Sequence, residues 1–215
     1  MGPKKAVIMA AIFNFLGLFL MTLVSSKVVA TIGNLVRFSN SGESLTALAA
    51  GLFAIIIWAV AAWYFGIPTS ESHALIAGVT GAAISIMGFG AFNAAEWTKV
   101  LYGLAISSVI GMGAGYFTVK FVQLICKRFP RGKTIPFFKG AQVFSGAAMA
   151  FLHGAQDGQK FLGVFMLGLC LANGTAVPAS FDIPFYSIVL FSVVMGIGTS
   201  IGGYRIIKAV RNGYG

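Results

Sequence analysis

Six stretches of this chain carry no charged side chain for 20 residues or more: Ala6–Ser26, Ser44–Ser70, Ala74–Ala95, Val100–Val119, Phe161–Phe181 and Ile183–Tyr204. A helix of about 20 apolar residues crosses the hydrocarbon core of a bilayer. One such run could be a buried core helix, but six in 215 residues leave no soluble interior large enough to hold them. Charged residues make up 9% and apolar ones 58% of the chain, whereas a soluble domain carries about 25% charged residues. Lipid is the solvent that suits such a surface. The chain reads as an all-α, multi-pass protein of the cell membrane with about six hydrophobic segments.

The net charge of +10 does not mark a nucleic-acid binder. The basic residues gather at the ends of the apolar stretches, as the positive-inside bias places them: Lys4 and Lys5; Lys127, Arg128, Arg131, Lys133 and Lys139; and Arg205, Lys208 and Arg211. No stacking aromatics interleave with them in a soluble patch. Cys126 and Cys170 make no metal or redox spacing and read as packing residues. The run after Lys5 is too long for a signal peptide, and no small-residue cleavage site follows it.

The first span covers about Ala6 to Val24, with helix expected to continue towards Leu35. The polar stretch Phe38 to Glu43 follows, then a second span, Thr46 to Phe65, with Trp58, Trp63 and Tyr64 towards its end as an interfacial belt. Gly66-Ile67-Pro68 breaks the helix. A Gly- and Ala-rich segment, Ser70 to Phe89, allows close helix approach. A fourth span runs from Trp97 to Cys126, with Gly111, Gly113 and Gly115 as a close-packing or bending point. The basic loop 127–139 divides the chain. Beyond it lie Ala141 to Ala172 and a last span from Pro184 to Tyr204. If the basic loop and the basic C-terminal region share the cytoplasmic side, Ala141 to Ala172 must be one crossing, interrupted in its middle. The same count puts Lys4 and Lys5 inside, unless Ser70 to Phe89 is a re-entrant hairpin.

Two segments break the apolar rule: Pro68-Thr69-Ser70-Glu71-Ser72-His73 and His153-Gly154-Ala155-Gln156-Asp157-Gly158-Gln159-Lys160. Each could be a surface loop, but ionisable residues at membrane depth are costly and by default mark a ligand path. Pro68 suits the first turn of a helix, which would place Thr69, Ser70 and Ser72 at its N-terminus, where free N–H groups and the helix dipole favour an anion. In the second segment, Asp157 with the amide oxygens of Gln156 and Gln159 offers hard ligands for Na⁺, and the carboxylate could carry a proton. Gly154 and Gly158 would let the helix unwind so that backbone carbonyls join in. Broken helices facing a midplane site are a recurrent plan of secondary transporters.

These segments, with Ala10–Gly17, Trp63–Leu75 and Gly202–Lys208, give the chain its resemblance to the PiT family of inorganic phosphate transporters. The resemblance implies a cation-coupled phosphate symporter, driven by Na⁺ or H⁺, built from inverted repeats. Residues 1–126 would be the remainder of the first repeat, 127–139 a cytoplasmic loop and 140–215 the beginning of the second. Thr69, Ser70 and Ser72 match the Ser/Thr motif of the first repeat and would bind phosphate. Gln156 and Asp157 match the Asn-Asp motif of the second and would bind or couple the cation, with Gln156 standing where the family has Asn. Pro68, His73, His153, Gly154 and Lys160 would support them. No cofactor is implied beyond Na⁺ as a coupling ion.

Two of the family's four motifs are matched, so the chain is expected to be a piece of a transporter, with a second chain as a candidate partner completing the site. The alternatives are a non-transporting membrane subunit that scaffolds a partner, and a membrane-embedded enzyme using His73 or His153. The enzyme reading is rejected, because neither histidine has metal-ligand spacing or a recognisable triad partner.

Overall fold

The computed structural model describes residues 1–39 and 42–211, and their side chains except those of Arg131, Lys133 and residues 204–211. The basic cluster Arg205, Lys208 and Arg211, and the Tyr204–Lys208 part of the last matched segment, therefore lie outside the described side chains.

The elements in order are α1 (Pro3–Val24), α2 (Lys27–Gly33), α3 (Gly42–Phe65), α4 (Glu71–Met87), a 3₁₀ turn (Gly88–Ala91), α5 (Ala94–Cys126), α6 (Arg131–His153), a π-helical turn (Gly154–Gly158), α7 (Gln159–Ala172) and α8 (Phe185–Arg211). Six segments are long and apolar enough to cross a membrane, as the uncharged stretches predict. Residues 1–93 and the chain from Ala147 onward form one compact unit, and Ala94–Gly146 forms another. This division does not follow the basic stretch at 127–139.

In lipid, apolar burial does not by itself drive helices together; close packing does. Helix α1 lies antiparallel to α8: Gly203 stands opposite Val7, Gly196 opposite Ala11 and Phe15, and Phe185 packs edge-on against Phe19. Helices α3 and α4 cross where a Cβ on Gly51 would come within 2.8 Å of the Gly78 carbonyl oxygen. The Gly- and Ala-rich composition of α4 thus serves the close approach expected of it. Helix α2 docks on α7 through Val29, Leu162 and Met166, with Phe181 closing the cluster. Exposed Phe53, Ile56, Ile57 and Trp58 on α3 form a face suited to lipid.

Several expectations are corrected. Helix α1 does not run on to Leu35: Ser25 is extended (φ −157°, ψ 126°), and α2 starts afresh at Lys27. Segment Ser70 to Phe89 is one continuous helix with a 3₁₀ turn at its end, not a hairpin. Most of the basic stretch is helical: α5 ends at Cys126 and α6 begins at Arg131, since Lys and Arg are good helix formers. Gly111, Gly113 and Gly115 lie in unbroken α5, and a Cβ on any of them would meet nothing within 4 Å, so they mark no close packing among the described residues. The polar residues around Asp157 do not unwind the helix. Helical structure is unbroken from α6 through the π turn into α7.

Candidate functional site

Helix α3 ends where Gly66 adopts φ 71°, and four residues later α4 is capped. Ser70, not Pro68, starts that helix: its side chain accepts the His73 backbone N–H at 3.4 Å. A serine hydroxyl satisfies an orphan N–H that proline cannot reach. Pro68 therefore precedes the helix instead of forming its first turn, and Thr69 lies before the cap with its hydroxyl 3.2 Å from Glu71 Oε1. Ser72, the second helical residue, turns inward and donates to Asp157 Oδ1 at 2.6 Å.

The opposing wall is the π turn. A π turn carries one extra residue in the helix and often sits at functional sites. Here Asp157 meets three partners. Lys160 Nζ lies 2.7 Å from Oδ1, Ser72 Oγ binds the same oxygen, and His153 Nε2 lies 3.1 Å from Oδ2. Lys160 Nζ also donates to Ser72 Oγ at 2.9 Å. Ser72, Asp157 and Lys160 thus close a triangle across 85 to 88 residues of sequence. The side chains of Asp157 and Lys160 are each more than three-quarters buried.

Behind His153 stands Asn14, almost fully buried in α1. Its Oδ1 is 2.8 Å from His153 Nδ1, and its Nδ2 donates to Thr199 Oγ1 at 3.1 Å. The Thr199 hydroxyl proton is committed to the Met195 carbonyl at 2.8 Å, so Thr199 can only accept from Asn14. This orients the amide and requires the proton on His153 Nδ1 to point at Asn14. Asn14 is the twelfth of the 22 residues of α1. At about 1.5 Å per residue it lies about 16 Å from either end, and so the cluster faces the middle of a membrane-length helix. Glycine makes the approach possible: a Cβ on Gly154 would lie 2.7 Å from Asn14 Cα, and one on Gly17 would strike the Phe151 carbonyl.

The structure thus joins Ser72, His153, Asp157 and Lys160, and it leaves other expected residues apart. Gln156 is exposed and makes no hydrogen bond to the cluster. Its neighbour Asp157 takes the inward direction, and adjacent helical residues do not face the same way. Gln159 is buried but anchors the Ser25 carbonyl at 2.9 Å, far from a role beside Asp157. Gly154 and Gly158 serve packing, against Asn14 and Leu18, in place of unwinding. Thr69, Ser70 and His73 line a separate cavity of about 590 Å³ against Ile55 and Trp58 of α3. Sequence reasoning missed Asn14 and Thr199. The signal for Asn14 was a lone amide in the middle of an uncharged 21-residue stretch, and polar residues at such depth are expensive enough to require a partner.

The phosphate transporter family model matches residues 1–135 and 125–215. The chain belongs to that family. It is 36% identical over 208 residues to a probable low-affinity inorganic phosphate transporter of Bacillus subtilis, covering 97% of this chain and 61% of that protein. A protein of the same description from Mycobacterium leprae is 32% identical, over 99% of this chain and 50% of its own length. The low-affinity inorganic phosphate transporter PitB of Escherichia coli is 34% identical, over 79% and 39%. The chain therefore spans between about two-fifths and three-fifths of the length of these relatives. A solved structure described as the sodium-dependent phosphate transporter superposes with a TM-score of 0.82 at 17% identity, covering 98% of this chain and 69% of that one, which shows a shared fold. These relatives are transporters by name and not enzymes, in keeping with the rejection of an enzymatic role. The chain is a multi-pass membrane protein of this family, all-helical in its spans.

Proposed function

We propose that this chain contributes to the path of a cation-coupled inorganic phosphate symporter. The observation that carries the reading is the Ser72–Asp157–Lys160 triangle: two charged groups and a hydroxyl, from segments far apart in sequence, meeting opposite the middle of α1. Charged groups at that depth are retained where they serve a ligand. The N-terminus of α4 supplies donors for phosphate through its free N–H groups and the Ser72 hydroxyl. Thr69 and Ser70 flank that helix end from the cavity side. The Asp157 carboxylate takes the coupling cation, Na⁺ or H⁺. His153, tied to Asn14 through Nδ1, stands beside the far oxygen of the carboxylate. Phosphate as the substrate is supported by the names of the relatives, and the cation role by the carboxylate.

The test is uptake of radiolabelled phosphate into proteoliposomes carrying the chain, under a Na⁺ gradient, a proton gradient or neither. Gradient-dependent uptake is expected once a further segment or a second chain completes the site, and Asp157→Asn should then abolish the gradient dependence while the protein still folds. Undiminished coupled uptake by Asp157→Asn would remove Asp157 from the path. Phosphate uptake indifferent to both gradients would end the symport reading.

A further inference from the structure

We propose that Lys160 is a tethered counter-cation that links the two ligands: Na⁺ must displace its ammonium from Asp157, and the displaced ammonium then serves phosphate. The inference rests on the symport reading above and assigns it a coupling device.

The geometry points to exchange. The Lys160 ammonium sits 2.7 Å from Asp157 Oδ1 and 2.9 Å from Ser72 Oγ. Two oxygens from protein side chains, one of them anionic, are the contacts a small cation would seek. Ser72 Oγ also touches both Asp157 and Lys160, so the ammonium already stands between the carboxylate and the N-terminal turn of α4. An ammonium carries three donors, and two of them are accounted for here. A lysine is a compact charge on a flexible four-carbon stem. It can swing from one oxygen to another nearby without movement of the backbone, which a planar guanidinium could not do as freely.

Charge then dictates the order of events. A carboxylate this deep is costly without a positive partner, and Lys160 supplies one. When Na⁺ takes the carboxylate, the ammonium becomes the uncompensated charge. It stays so until an anion arrives at the adjoining helix end, where phosphate accepts its protons. Na⁺ therefore raises phosphate affinity, and by linkage phosphate raises Na⁺ affinity by the same factor. With phosphate bound as its monoanion, either ligand alone leaves one charge of the Asp157–Lys160 pair uncompensated, and the two ligands together leave none. The two residues are three apart on one helical run, so both charges remain on the same element throughout.

The experiment is calorimetric titration of the chain in nanodiscs with Na⁺ and with inorganic phosphate, each in the presence and absence of the other. The wild type should show a coupling factor within the common range of about 5- to 150-fold. In Lys160→Gln, Na⁺ alone should bind at least about fivefold more tightly, the lower end of that range, because nothing has to be displaced, and the coupling factor should fall to about 1. Lys160→Arg keeps the charge and guards against a folding defect; its Na⁺ affinity should not exceed that of the wild type. Unchanged or weakened Na⁺ binding in Lys160→Gln overturns the inference, as does a wild-type coupling factor in that variant. A wild type that binds phosphate but no Na⁺ also overturns it and leaves the phosphate site standing. A wild type that binds Na⁺ but no phosphate refutes the symport reading, and the Na⁺ affinity of Lys160→Gln then still decides for or against displacement.

Discussion

The crossing of α1 with the π turn makes a sharp prediction for Gly154→Ala. A Cβ at residue 154 would lie 2.7 Å from both Cα and C of Asn14, with the Asn14 carbonyl oxygen closer still. Carbon contacts settle at about 3.5–4.0 Å, so the two helices must part by about 1 Å. All three obstructing atoms are backbone, so no rotamer change can relieve them. Overpacking of this kind costs about 1–3 kcal/mol. The same displacement stretches the 2.8 Å contact between Asn14 and His153 to nearly 4 Å, past hydrogen-bonding range. A buried acceptor left without its donor costs about 1–3 kcal/mol more. Together the loss is about 2–6 kcal/mol, or a fall in Tm of roughly 4–24 °C for a chain of this size. The control is Gly111→Ala in α5, where the new methyl would meet nothing within 4 Å. There the helix should be stabilised by about 0.5–1 kcal/mol. The assay is thermal unfolding of both variants in the same detergent. Equal Tm values for Gly154→Ala and Gly111→Ala would refute the idea that the glycine exists for this crossing.

Three further outcomes are expected. Asn14→Leu removes the acceptor for His153 Nδ1–H, and ¹⁵N NMR of the histidine-labelled chain should show His153 shifting towards its Nε2–H tautomer. The chain has two histidines, so His73→Gln assigns the rings, and an unchanged His153 spectrum would deny Asn14 its orienting part. The buried hydroxyls of Thr22 and Thr80 have no partner among the described residues, so Thr22→Val and Thr80→Val should each stabilise the protein by about 1–2 kcal/mol in denaturant unfolding. A loss of that size would instead reveal a partner. Gly88 holds φ 63°, ψ −160° at the end of α4, a region nearly exclusive to glycine. Gly88→Ala should cost about 1–3 kcal/mol, read as a lower unfolding midpoint, and an unchanged midpoint would mean that the turn readjusts freely.

The spans were legible because charge is excluded from lipid: the gaps between Lys5 and Lys27, or Glu43 and Glu71, bracket α1 and α3 closely. The break at Gly66 was legible from turn chemistry. The pairing of the 68–73 and 153–160 segments was visible as two violations of one rule, although not the contact of Ser72 with Asp157 and Lys160. The end of α1 at Ser25 was not legible, since Val28, Val29 and Ile32 continue an apolar helical pattern and only the tertiary fit of α2 on α7 turns the chain. The basic residues after Cys126 looked like a loop because charge signals exposure, and exposure is equally compatible with a helix. The direction of Gln156 was hidden as well. Which of two adjacent polar side chains faces inward depends on the phase of the helix, and the π turn shifts that phase by one residue. Asn14 showed as polar, but its partners, 139 and 185 residues away, are beyond any local reading.

That last separation bears on how the protein is made. Asn14 and Thr199 are 185 residues apart, and chains are synthesised at about 5–20 residues per second. For about 10–40 s, then, α1 sits in the membrane with no α8 to receive the Nδ2–H of its midpoint amide. During that interval the nascent protein must be kept from satisfying the amide elsewhere, by the insertion machinery or by a neighbouring chain. Completion of the Asn14–Thr199 link is thus gated by translation of α8, and quality control can act on α1 before that link exists.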